Sequence, residues 1–240
     1  MKIEGHTILI TGGGTGIGLA IAEAFLEKGN TVFICGRRES KLIEARKKYP
    51  KLHFKDCDLS KKNERELIFS WVSTLLPNIN MLVNNAGIQR KIDFRNGTHD
   101  LLQGEDEIET NLKAAIHLSS LFVPHFIKKE SAIINVTSGL AFVPMASAPV
   151  YCATKAALHS FSISLRHQFR ETPIKVFELI PPMVDTALDK GTRKERGIQP
   201  KLVADVLIEG MENNLFEIAV GMAEQLRANA GNPDSFKRMN

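Results

Sequence analysis

Short runs of β-branched and apolar residues alternate along this chain with longer segments in which apolar residues recur every three or four positions. The first short run is 7–11, and a helical pattern follows it over about 16–28, with Ile17, Ala20, Ile21, Ala24 and Phe25 on one side. Further strands are predicted over 31–35, 52–57, 81–83, 132–137, 174–180 and 216–220, and further helices over 39–48, 61–76, about 104–128, 150–170 and 201–211. Strand and helix therefore alternate without interruption.

This alternation predicts an α/β fold, because parallel strands that are joined by helices bury both faces of their sheet. Right-handed crossovers leave few topologies, and we predict a doubly wound parallel sheet of about seven strands with helices on both faces. No repeat or linker divides the chain, so residues 1–240 are expected to form one domain. The irregular segment 187–200 is predicted to be a surface loop beside the substrate. The tail from Gly221 is either a helix that docks on the domain or a subunit contact.

Composition narrows the class of protein further. The 240 residues are 43% hydrophobic and 24% charged, which is typical of a globular domain and excludes disordered and fibrous classes. The net charge of +4 is spread along the chain, so we expect no nucleic-acid partner. A polar N-terminus and the lack of an apolar run of about 20 residues predict a cytoplasmic protein without membrane insertion. Cysteines without CxxC spacing and histidines without HExxH spacing predict neither disulfides nor a metal site.

A glycine-rich turn, Thr11-Gly12-Gly13-Gly14-Thr15-Gly16-Ile17-Gly18, lies between the first predicted strand and the first predicted helix. Glycines let the backbone approach a pyrophosphate closely, and the unpaired amides of the helix N-terminus stabilise the anion. The spacing of Gly12, Gly16 and Gly18 differs from GxGxxG, and an ordinary turn is the alternative. The position between a strand and a helix nevertheless favours dinucleotide binding.

The end of the second predicted strand indicates which dinucleotide is preferred. A carboxylate here would bind the ribose 2′-hydroxyl of NAD, whereas this chain has Cys35-Gly36-Arg37-Arg38. A guanidinium group can hold a phosphate with two hydrogen bonds, so Arg37, with Arg38 as a second candidate, predicts a preference for NADP(H) over NAD(H). A solvated basic turn is the alternative interpretation.

Tyr151 and Lys155 are four residues apart and share one face of a predicted helix. An ammonium about 4 Å from a phenol, at an effective dielectric of about 20, is worth roughly 4 kcal/mol, or about three pKa units. The pair therefore predicts that the pKa of Tyr151 falls from about 10 toward neutrality and that the phenol transfers protons. Taken alone, such a pair more often decorates a helix surface.

With Ser138 after the fifth predicted strand, these motifs resemble the short-chain dehydrogenase/reductase family over about residues 5–220. Further agreement comes from Asn84-Asn85-Ala86-Gly87 after the fourth strand, Asp58 after the third, and Asn111 in the long helix. The resemblance implies a Rossmann-like single domain and an oxidoreductase that interconverts a carbonyl and an alcohol by hydride transfer with a nicotinamide cofactor. The residues 179–184 and 236–240 resemble the DltE-like subgroup of bacterial oxidoreductases, a likeness that fixes no substrate.

The resemblance also implies a role for each matching residue. Tyr151 would give a proton to the carbonyl oxygen or take one from the alcohol, and Ser138 would hydrogen-bond the same oxygen. Lys155 would lower the pKa of Tyr151 and hold the nicotinamide ribose. Asn111 would carry a water that relays protons, and Asp58 would bind the adenine amino group. The residues expected to bind the cofactor are Gly12, Gly14, Thr15, Gly16, Ile17, Gly18, Arg37, Arg38, Asp58, Leu59, Asn85, Ala86, Gly87, Tyr151, Lys155, Pro181, Val184 and Thr186.

One departure from the family pattern follows the sixth predicted strand, where Pro181-Pro182 replaces the usual Pro-Gly. Proline lacks an amide hydrogen and fixes φ, so contacts to the nicotinamide are expected from the Val184 amide and the Thr186 hydroxyl.

Three other functions remain as alternatives. A catalytically silent nucleotide-binding regulator would be expected to lose the acid/base set, which is complete here. A sugar-nucleotide epimerase or dehydratase would need a sizeable C-terminal substrate domain, for which the residues after Val184 are too few. A ketoreductase of acyl-carrier-protein thioesters is a narrower rival, because the basic residues in 190–196 would suit an anionic carrier.

The helices that contain Asn111 and Tyr151 carry apolar residues on more than one face, as expected for helices that also pack against a partner subunit. These residues are Ile116, Leu118, Leu121, Phe122 and Val123 in the first helix and Leu158, Phe161, Ile163 and Leu165 in the second. Relatives commonly pair through these helices, so we expect a homodimer or homotetramer that acts on a small-molecule carbonyl or alcohol.

Overall fold

A single parallel sheet forms the centre of the fold in the computed structural model, which describes residues 1–186, 188 and 197–239. Its strands are β1 (Thr7–Thr11), β2 (Thr31–Gly36), β3 (His53–Asp56), β4 (Met81–Asn84), β5 (Ser131–Val136), β6 (Ile174–Ile180) and β7 (Glu217–Ala219). They lie in the order β3-β2-β1-β4-β5-β6-β7, and every neighbouring pair is parallel. The doubly wound sheet of about seven strands that the sequence predicts is therefore confirmed.

Helices connect the strands and cover both faces of the sheet. Those in the described part of the chain are α1 (Gly16–Glu27), α2 (Glu39–Lys48), α3 (Lys62–Leu75), α4 (His99–Leu102), α5 (Ala114–Phe126), α6 (Pro149–Gln168), α7 (Pro200–Glu212), α8 (Met222–Ala228) and α9 (Pro233–Met239). Alternate residues of β1 supply two separate cores, since Ile8 and Ile10 face the cluster with Phe25, whereas Leu9 faces the cluster with Phe122. Burial on both faces explains why the strands read as continuous apolar runs.

The long helix predicted over 104–128 starts later than the sequence indicates. Gly104 has φ +84°, a left-handed conformation that ends any helix through it. Asp106 caps the helix instead, because its Oδ1 accepts hydrogen bonds from the amides of Ile108 (2.8 Å) and Glu109 (3.0 Å). The first turns include a π-helix, Glu109–Lys113, before α5 begins. A π-helical turn adds a residue to the helical repeat and has no simple hydrophobic period, so the pattern does not predict it.

The hydrophobic pattern does not predict three further short elements, which are α4 and the 3-10 turns Phe94–Asn96 and Gly139–Ala141. Each is shorter than the window over which a period can be recognised. The tail forms α8 and α9, and α8 packs on β7 and on the turn Gly139–Ala141. A docked helix, which was one of the two alternatives for the tail, is therefore present. In the described residues, no helix is long and apolar enough to cross a membrane.

Candidate active site

The parallel register brings the carboxyl ends of the strands to one edge of the sheet. The glycine turn follows β1 there, Arg37 follows β2, Asp58 follows β3, Asn85 follows β4, and Ser138 follows β5. In open parallel sheets, ligands bind at this edge, where the direction of winding reverses. In this sheet the reversal falls between β1 and β4.

The glycine turn leaves a cradle at the N-terminus of α1. Gly12 has φ +64° and Gly16 has φ +58°, values that side chains disfavour. A Cβ on Gly18 would lie only 2.5 Å from the carbonyl oxygen of Gly12, so a larger residue would force the turn apart. Thr15 precedes α1 without capping it through its side chain, so this hydroxyl does not occupy the first-turn amides. The turn therefore fits an anion such as a pyrophosphate.

Thr11 and Asn85 join this turn to the segment after β4. The hydroxyl of Thr11 donates to Val83 O (3.1 Å) and accepts from the amides of Asn85 (2.9 Å) and Ala86 (3.0 Å). The side-chain amide of Asn85 donates back to Thr11 O at 2.8 Å. The Asn85 side chain thus stabilises the turn itself, and Gly87 lies beside Asn111 and Lys155. Thr11 was not predicted to have this role, although a polar residue at the end of an apolar strand is a signal for it.

Asn84, the first residue of that motif, points away from the cleft. It is 5% exposed, and its side-chain amide donates to Asn135 Oδ1 (2.8 Å) and Ser119 Oγ (3.2 Å). Asn84 therefore supports the packing of β4, β5 and α5.

The two arginines after β2 have separate contacts. Arg38 donates to the hydroxyl of Thr15 at 3.1 Å, across the mouth of the glycine turn. Arg37 forms an ion pair with Glu105, with Nη1 and Oε1 2.5 Å apart. Arg38 thus contacts the glycine turn directly, whereas Arg37 is paired with an acid from the segment before α5.

Asp58 and Leu59 follow β3 on the same side. The Asp58 carboxylate accepts from the amide (3.1 Å) and hydroxyl (2.7 Å) of Ser60. Partial burial acts to raise the pKa of Asp58, but these hydrogen bonds and the charges of Lys61 and Arg37 outweigh it, so the pKa lies below its usual value. Leu59 is 4% exposed and belongs to the core cluster against which Ala86 also packs.

The segment after β6 lies against the glycine turn. The carbonyl of Pro181 accepts from Gly139 N at 3.1 Å, next to Ser138. Val184 forms a parallel bridge with Ile198, and Thr186 Cγ2 would lie 3.0 Å from a Cβ on Gly16. Of the predicted substrate loop 187–200, residues 187 and 189–196 lie outside the described residues.

Ser138, Tyr151 and Lys155 converge at the carboxyl end of β5. All three are at most 7% exposed, and the Ser138 hydroxyl hydrogen-bonds the phenol of Tyr151. Lys155 Nζ lies 5.7 Å from the centroid of the Tyr151 ring and donates to Val136 O at 2.8 Å. A Cβ on Gly87 would lie 3.6 Å from the same Nζ, so the segment after β4 packs against the ammonium group of Lys155.

The expected lowering of the Tyr151 pKa is wrong for this arrangement of the chain. Burial raises the pKa of Tyr151 to about 12, and the nearby Glu107 carboxylate acts in the same direction, against the hydrogen bond from Ser138. Burial lowers the pKa of Lys155 to about 8. The prediction from charge alone left out desolvation, which burial of both side chains makes the larger effect, and Lys155 Nζ donates its hydrogen bond to Val136 O. Tyr151 therefore carries its proton at neutral pH.

Asn111 lies inside the π-helix and links two elements of the site. Its Oδ1 accepts from Ile88 N (2.8 Å), and its Nδ2 donates to Ile88 O (2.9 Å) and to Thr154 Oγ1 (3.2 Å). Thr154 in turn donates to Tyr151 O at 2.7 Å. Both amide hydrogens are thus used to hold the loop after β4 against α6, and a relay water at Asn111 would have to use other atoms.

A buried acidic residue behind Ser138 was missed by the sequence analysis. Glu178 on β6 is fully buried, and its Oε1 accepts from Thr137 Oγ1 at 2.6 Å. His159 on α6 lies 2.9 Å from its Oε2. A charged residue in the middle of an apolar strand was the available signal, because such a residue needs a partner when buried.

Glu107 is a second buried acid that the sequence analysis missed. It is 2% exposed, and its Oε1 accepts from Arg90 N at 3.0 Å. Its Oε2 has no hydrogen-bond partner among the described residues, and burial raises the pKa of this carboxyl. Nothing in the local sequence distinguishes it from the surface acids around it. Among the described residues, no cluster of His, Cys, Asp or Glu could hold a metal ion.

Comparison with known proteins gives the family of this chain. The family model described as short chain dehydrogenase matches residues 6–197. The chain therefore belongs to the short-chain dehydrogenase/reductase family, and the oxidoreductase class predicted from the sequence is confirmed. It is 50% identical over 233 residues to the uncharacterized oxidoreductase DltE of Bacillus subtilis, covering 95% of this chain and 92% of that protein. The chain is thus a DltE-like member of the family. An uncharacterized oxidoreductase of Staphylococcus epidermidis is 28% identical over 211 residues, covering 86% of this chain and 91% of that protein.

Solved structures share the fold. A family member from Burkholderia phymatum in complex with NAD superposes with a TM-score of 0.84 at 18% identity, covering 95% of this chain and 93% of that one. One from Burkholderia cenocepacia in complex with NADP gives a TM-score of 0.83 at 24% identity, covering 100% and 99%. These neighbours confirm the Rossmann-like fold.

Proposed function

We propose that this chain is an NADP(H)-dependent oxidoreductase that interconverts a carbonyl and an alcohol, with Tyr151 as the group that transfers the proton. The observation that carries the proposal is the convergence of Ser138, Tyr151 and Lys155, three buried polar side chains, beside the glycine cradle at the carboxyl edge of the sheet. A nicotinamide cofactor on this cradle would supply or accept the hydride. The complexes of structural neighbours with NAD and with NADP support a cofactor of this class.

The proton chemistry follows from the two pKa shifts. The raised pKa of Tyr151, about 12, keeps the phenol protonated, which suits a donor to a carbonyl oxygen that gains negative charge. Ser138 hydrogen-bonds the phenol and would position the same oxygen. The lowered pKa of Lys155, about 8, leaves its ammonium largely charged at neutral pH, and this charge would stabilise the phenolate that remains. In the oxidation direction, Tyr151 would accept the proton, and a raised pKa predicts that this direction needs higher pH.

The other predicted cofactor contacts are proposed in the same arrangement. The amides of 14–18 would hold the pyrophosphate, and Arg37 and Arg38 would hold the 2′-phosphate. Asp58 and Leu59 would border the adenine, Asn85, Ala86 and Gly87 would line the adenosine side, and Lys155 would hold the nicotinamide ribose. Pro181, Val184 and Thr186 would contact the carboxamide, since this segment already lies against Gly16.

The remaining predictions concern setting and partners. We propose a cytoplasmic protein that acts on a small-molecule carbonyl or alcohol and assembles as a homodimer or homotetramer. Exposed Ile116 on α5 (39%) and Ile163 on α6 (44%) support assembly, whereas Leu118, Phe122, Leu158 and Leu165 are buried within the chain itself.

A carbonyl-compound panel tests the reaction, with oxidation of NADPH and of NADH followed at 340 nm. We expect turnover of at least one compound by the wild type and a loss of about a hundredfold or more in Tyr151→Phe, because phenylalanine keeps the ring and removes only the transferable proton. Cofactor binding by Tyr151→Phe, measured by calorimetry, serves as the control for folding. Cofactor binding without turnover of any compound above the Tyr151→Phe rate would favour the silent regulator.

The same assay tests cofactor preference with Arg37→Ala. We expect this change to weaken the binding of NADPH about tenfold or more and that of NADH less than threefold, because only NADPH carries the 2′-phosphate. Equal weakening of both cofactors would contradict the 2′-phosphate role of Arg37.

A further inference from the structure

A carboxylate meets Arg37 from a distant part of the chain. Arg37 and Arg38, the two residues directly after β2, carry no carboxylate, yet Glu105 places its Oε1 2.5 Å from Arg37 Nη1. Carboxylates at this place in dinucleotide-binding folds bind the ribose 2′-hydroxyl and repel a 2′-phosphate. The fold therefore supplies from the segment before α5 the charge that the end of β2 lacks.

Glu105 is held in place through its own backbone. The guanidinium group of Arg90 donates to the carbonyl oxygens of Leu101 (3.3 Å) and Glu105 (3.1 Å), and also to those of Asp100 and Gln103. Gly104 turns the chain between these acceptors with φ +84°. One arginine thus gathers the whole segment 100–105.

The backbone of Arg90 is fixed in turn. Its amide donates to Glu107 Oε1 at 3.0 Å, and Glu107 is 2% exposed. The carboxylate that pairs with Arg37 therefore lies on a segment that the hydrogen bonds of Arg90 hold in place.

The electrostatics place this carboxylate in competition with a phosphate. The charge of Arg37 also helps to lower the pKa of Asp58, although its ion pair is made with Glu105. The side chains of Arg37 and Glu105 are 40% and 52% exposed, so an incoming nucleotide can reach the pair. A 2′-phosphate bound by Arg37 would have to displace Glu105 or lie next to its negative charge.

Building on the proposed use of Arg37 for the 2′-phosphate, we propose that Glu105 is a cofactor-selectivity residue that competes with this phosphate for Arg37. Its carboxylate weakens the binding of NADP(H) and leaves the binding of NAD(H) nearly unchanged. The affinities for the two cofactors should therefore differ little, and residues 37 and 105 together set this difference.

Calorimetric titration of NADPH and of NADH into wild type and Glu105→Gln tests the proposal without any substrate. Glutamine keeps the shape and removes the charge, so we expect NADPH to bind about three- to tenfold more tightly and NADH to change less than twofold. The gain should shrink in about 0.5 M salt, where exposed charges are screened. Glu66→Gln is the matched control, because Glu66 is an exposed acid paired with Lys62 on α3 (3.7 Å) and is expected to change neither affinity.

The opposite result is equally informative. If Glu105 instead orders Arg37 for the phosphate, Glu105→Gln will weaken NADPH, and an unchanged or weakened NADPH affinity overturns the proposal. Arg37→Ala separates this failure from that of the proposed function. If Arg37→Ala loses the preference for NADPH and Glu105→Gln does not bind NADPH more tightly, only the role of Glu105 is contradicted. No loss of preference in Arg37→Ala removes the 2′-phosphate assignment itself.

Discussion

Lys155 shows how burial, rather than proximity alone, sets the chemistry of a single residue. It is 4% exposed, and Val136 O is the acceptor at 2.8 Å from its Nζ. Burial lowers its pKa from 10.5 to about 8. Since the folded chain binds this proton less tightly than the unfolded chain, the group stabilises the fold above about pH 10.5, and this contribution is lost as the pH falls through about 8. A charged Lys155 is therefore unfavourable for stability at neutral pH.

Replacing this lysine separates stability from activity. We expect Lys155→Met to lose most of the turnover and yet to unfold at the same temperature as wild type or about 2 to 6 °C higher at pH 7. The gain comes from relief of about 3 kcal/mol of charge burial, offset by about 1.5 to 3 kcal/mol for the lost hydrogen bond of the charged ammonium. The advantage should disappear near pH 10, where the wild-type lysine is neutral. Thermal unfolding at both pH values is the measurement, and Lys62→Met, at an exposed position, is the control.

A melting temperature of Lys155→Met several degrees below wild type at pH 7 would contradict this account of Lys155. It would mean that the bond to Val136 O outweighs the burial of the charge.

The π-helix illustrates what an element contributes beyond its residues. It lies directly before α5, and within it Asn111 holds Ile88 on one side and Thr154 on the other. The asparagine thus joins the loop after β4 to α6, the helix that carries Tyr151 and Lys155. A π-helical turn at such a position is typical of functional sites.

The tail is the second element whose role comes from packing. Leu226 on α8 lies so close to Gly139 that a Cβ added there would be 2.7 Å from Leu226 Cδ1. Gly139 follows Ser138 and donates to Pro181 O at 3.1 Å. α8 therefore supports the turn that positions the Ser138 hydroxyl.

This packing predicts a rescue between two positions. We expect Gly139→Ala to reduce kcat about tenfold with little change in cofactor affinity, because the new methyl group displaces either the Ser138 turn or α8. Leu226→Ala should restore most of the activity in the double variant, since alanine has no Cδ1 to collide. Met222→Ala, on the exposed side of α8 (64%), is the control that should not rescue. Equal defects in the single and double variants would show that Leu226 is not the obstacle.

At the scale of the whole molecule, one parallel sheet explains why residues far apart in sequence form one site. Every strand pair is parallel, so the segments that follow β1 to β6 all emerge at the same edge. The two cores fix the sheet from both faces, and helices α3, α5 and α6 contribute to one of them. Their outer surfaces retain exposed isoleucines, Ile116 and Ile163.

Assembly through those surfaces is testable by light scattering coupled to size exclusion. We expect a mass of two or four times 26.6 kDa for the wild type. Ile163→Glu should shift the mass toward the monomer, because a carboxylate at a subunit contact is costly to bury. Ile43→Glu, at an exposed position (38%) on α2, which packs on β2 and β3, is the control. A wild-type monomer would overturn the expectation of an oligomer.

The sequence by itself determined the alternation of elements, the parallel sheet and the residues at its carboxyl edge. Several site features could be predicted because each follows from a local period or from a motif at the end of a strand. They are the glycine turn, Asp58, Ser138 and the pair of Tyr151 and Lys155. These features depend on residues that are close along the chain, and their geometry is nearly the same in any sheet of this class.

Only the tertiary structure decided which distant groups meet and how much water they lose. The pairing of Arg37 with Glu105, the contact of Leu226 with Gly139 and the burial of Glu178 join residues with no common pattern in the sequence. The pKa of Tyr151 rises because of desolvation, which depends on the packing of every neighbouring element and has no signature in a spacing of four residues. Periodicity encodes the faces of helices and strands, whereas contacts between elements, and the electrostatics within them, arise only when those faces pack together.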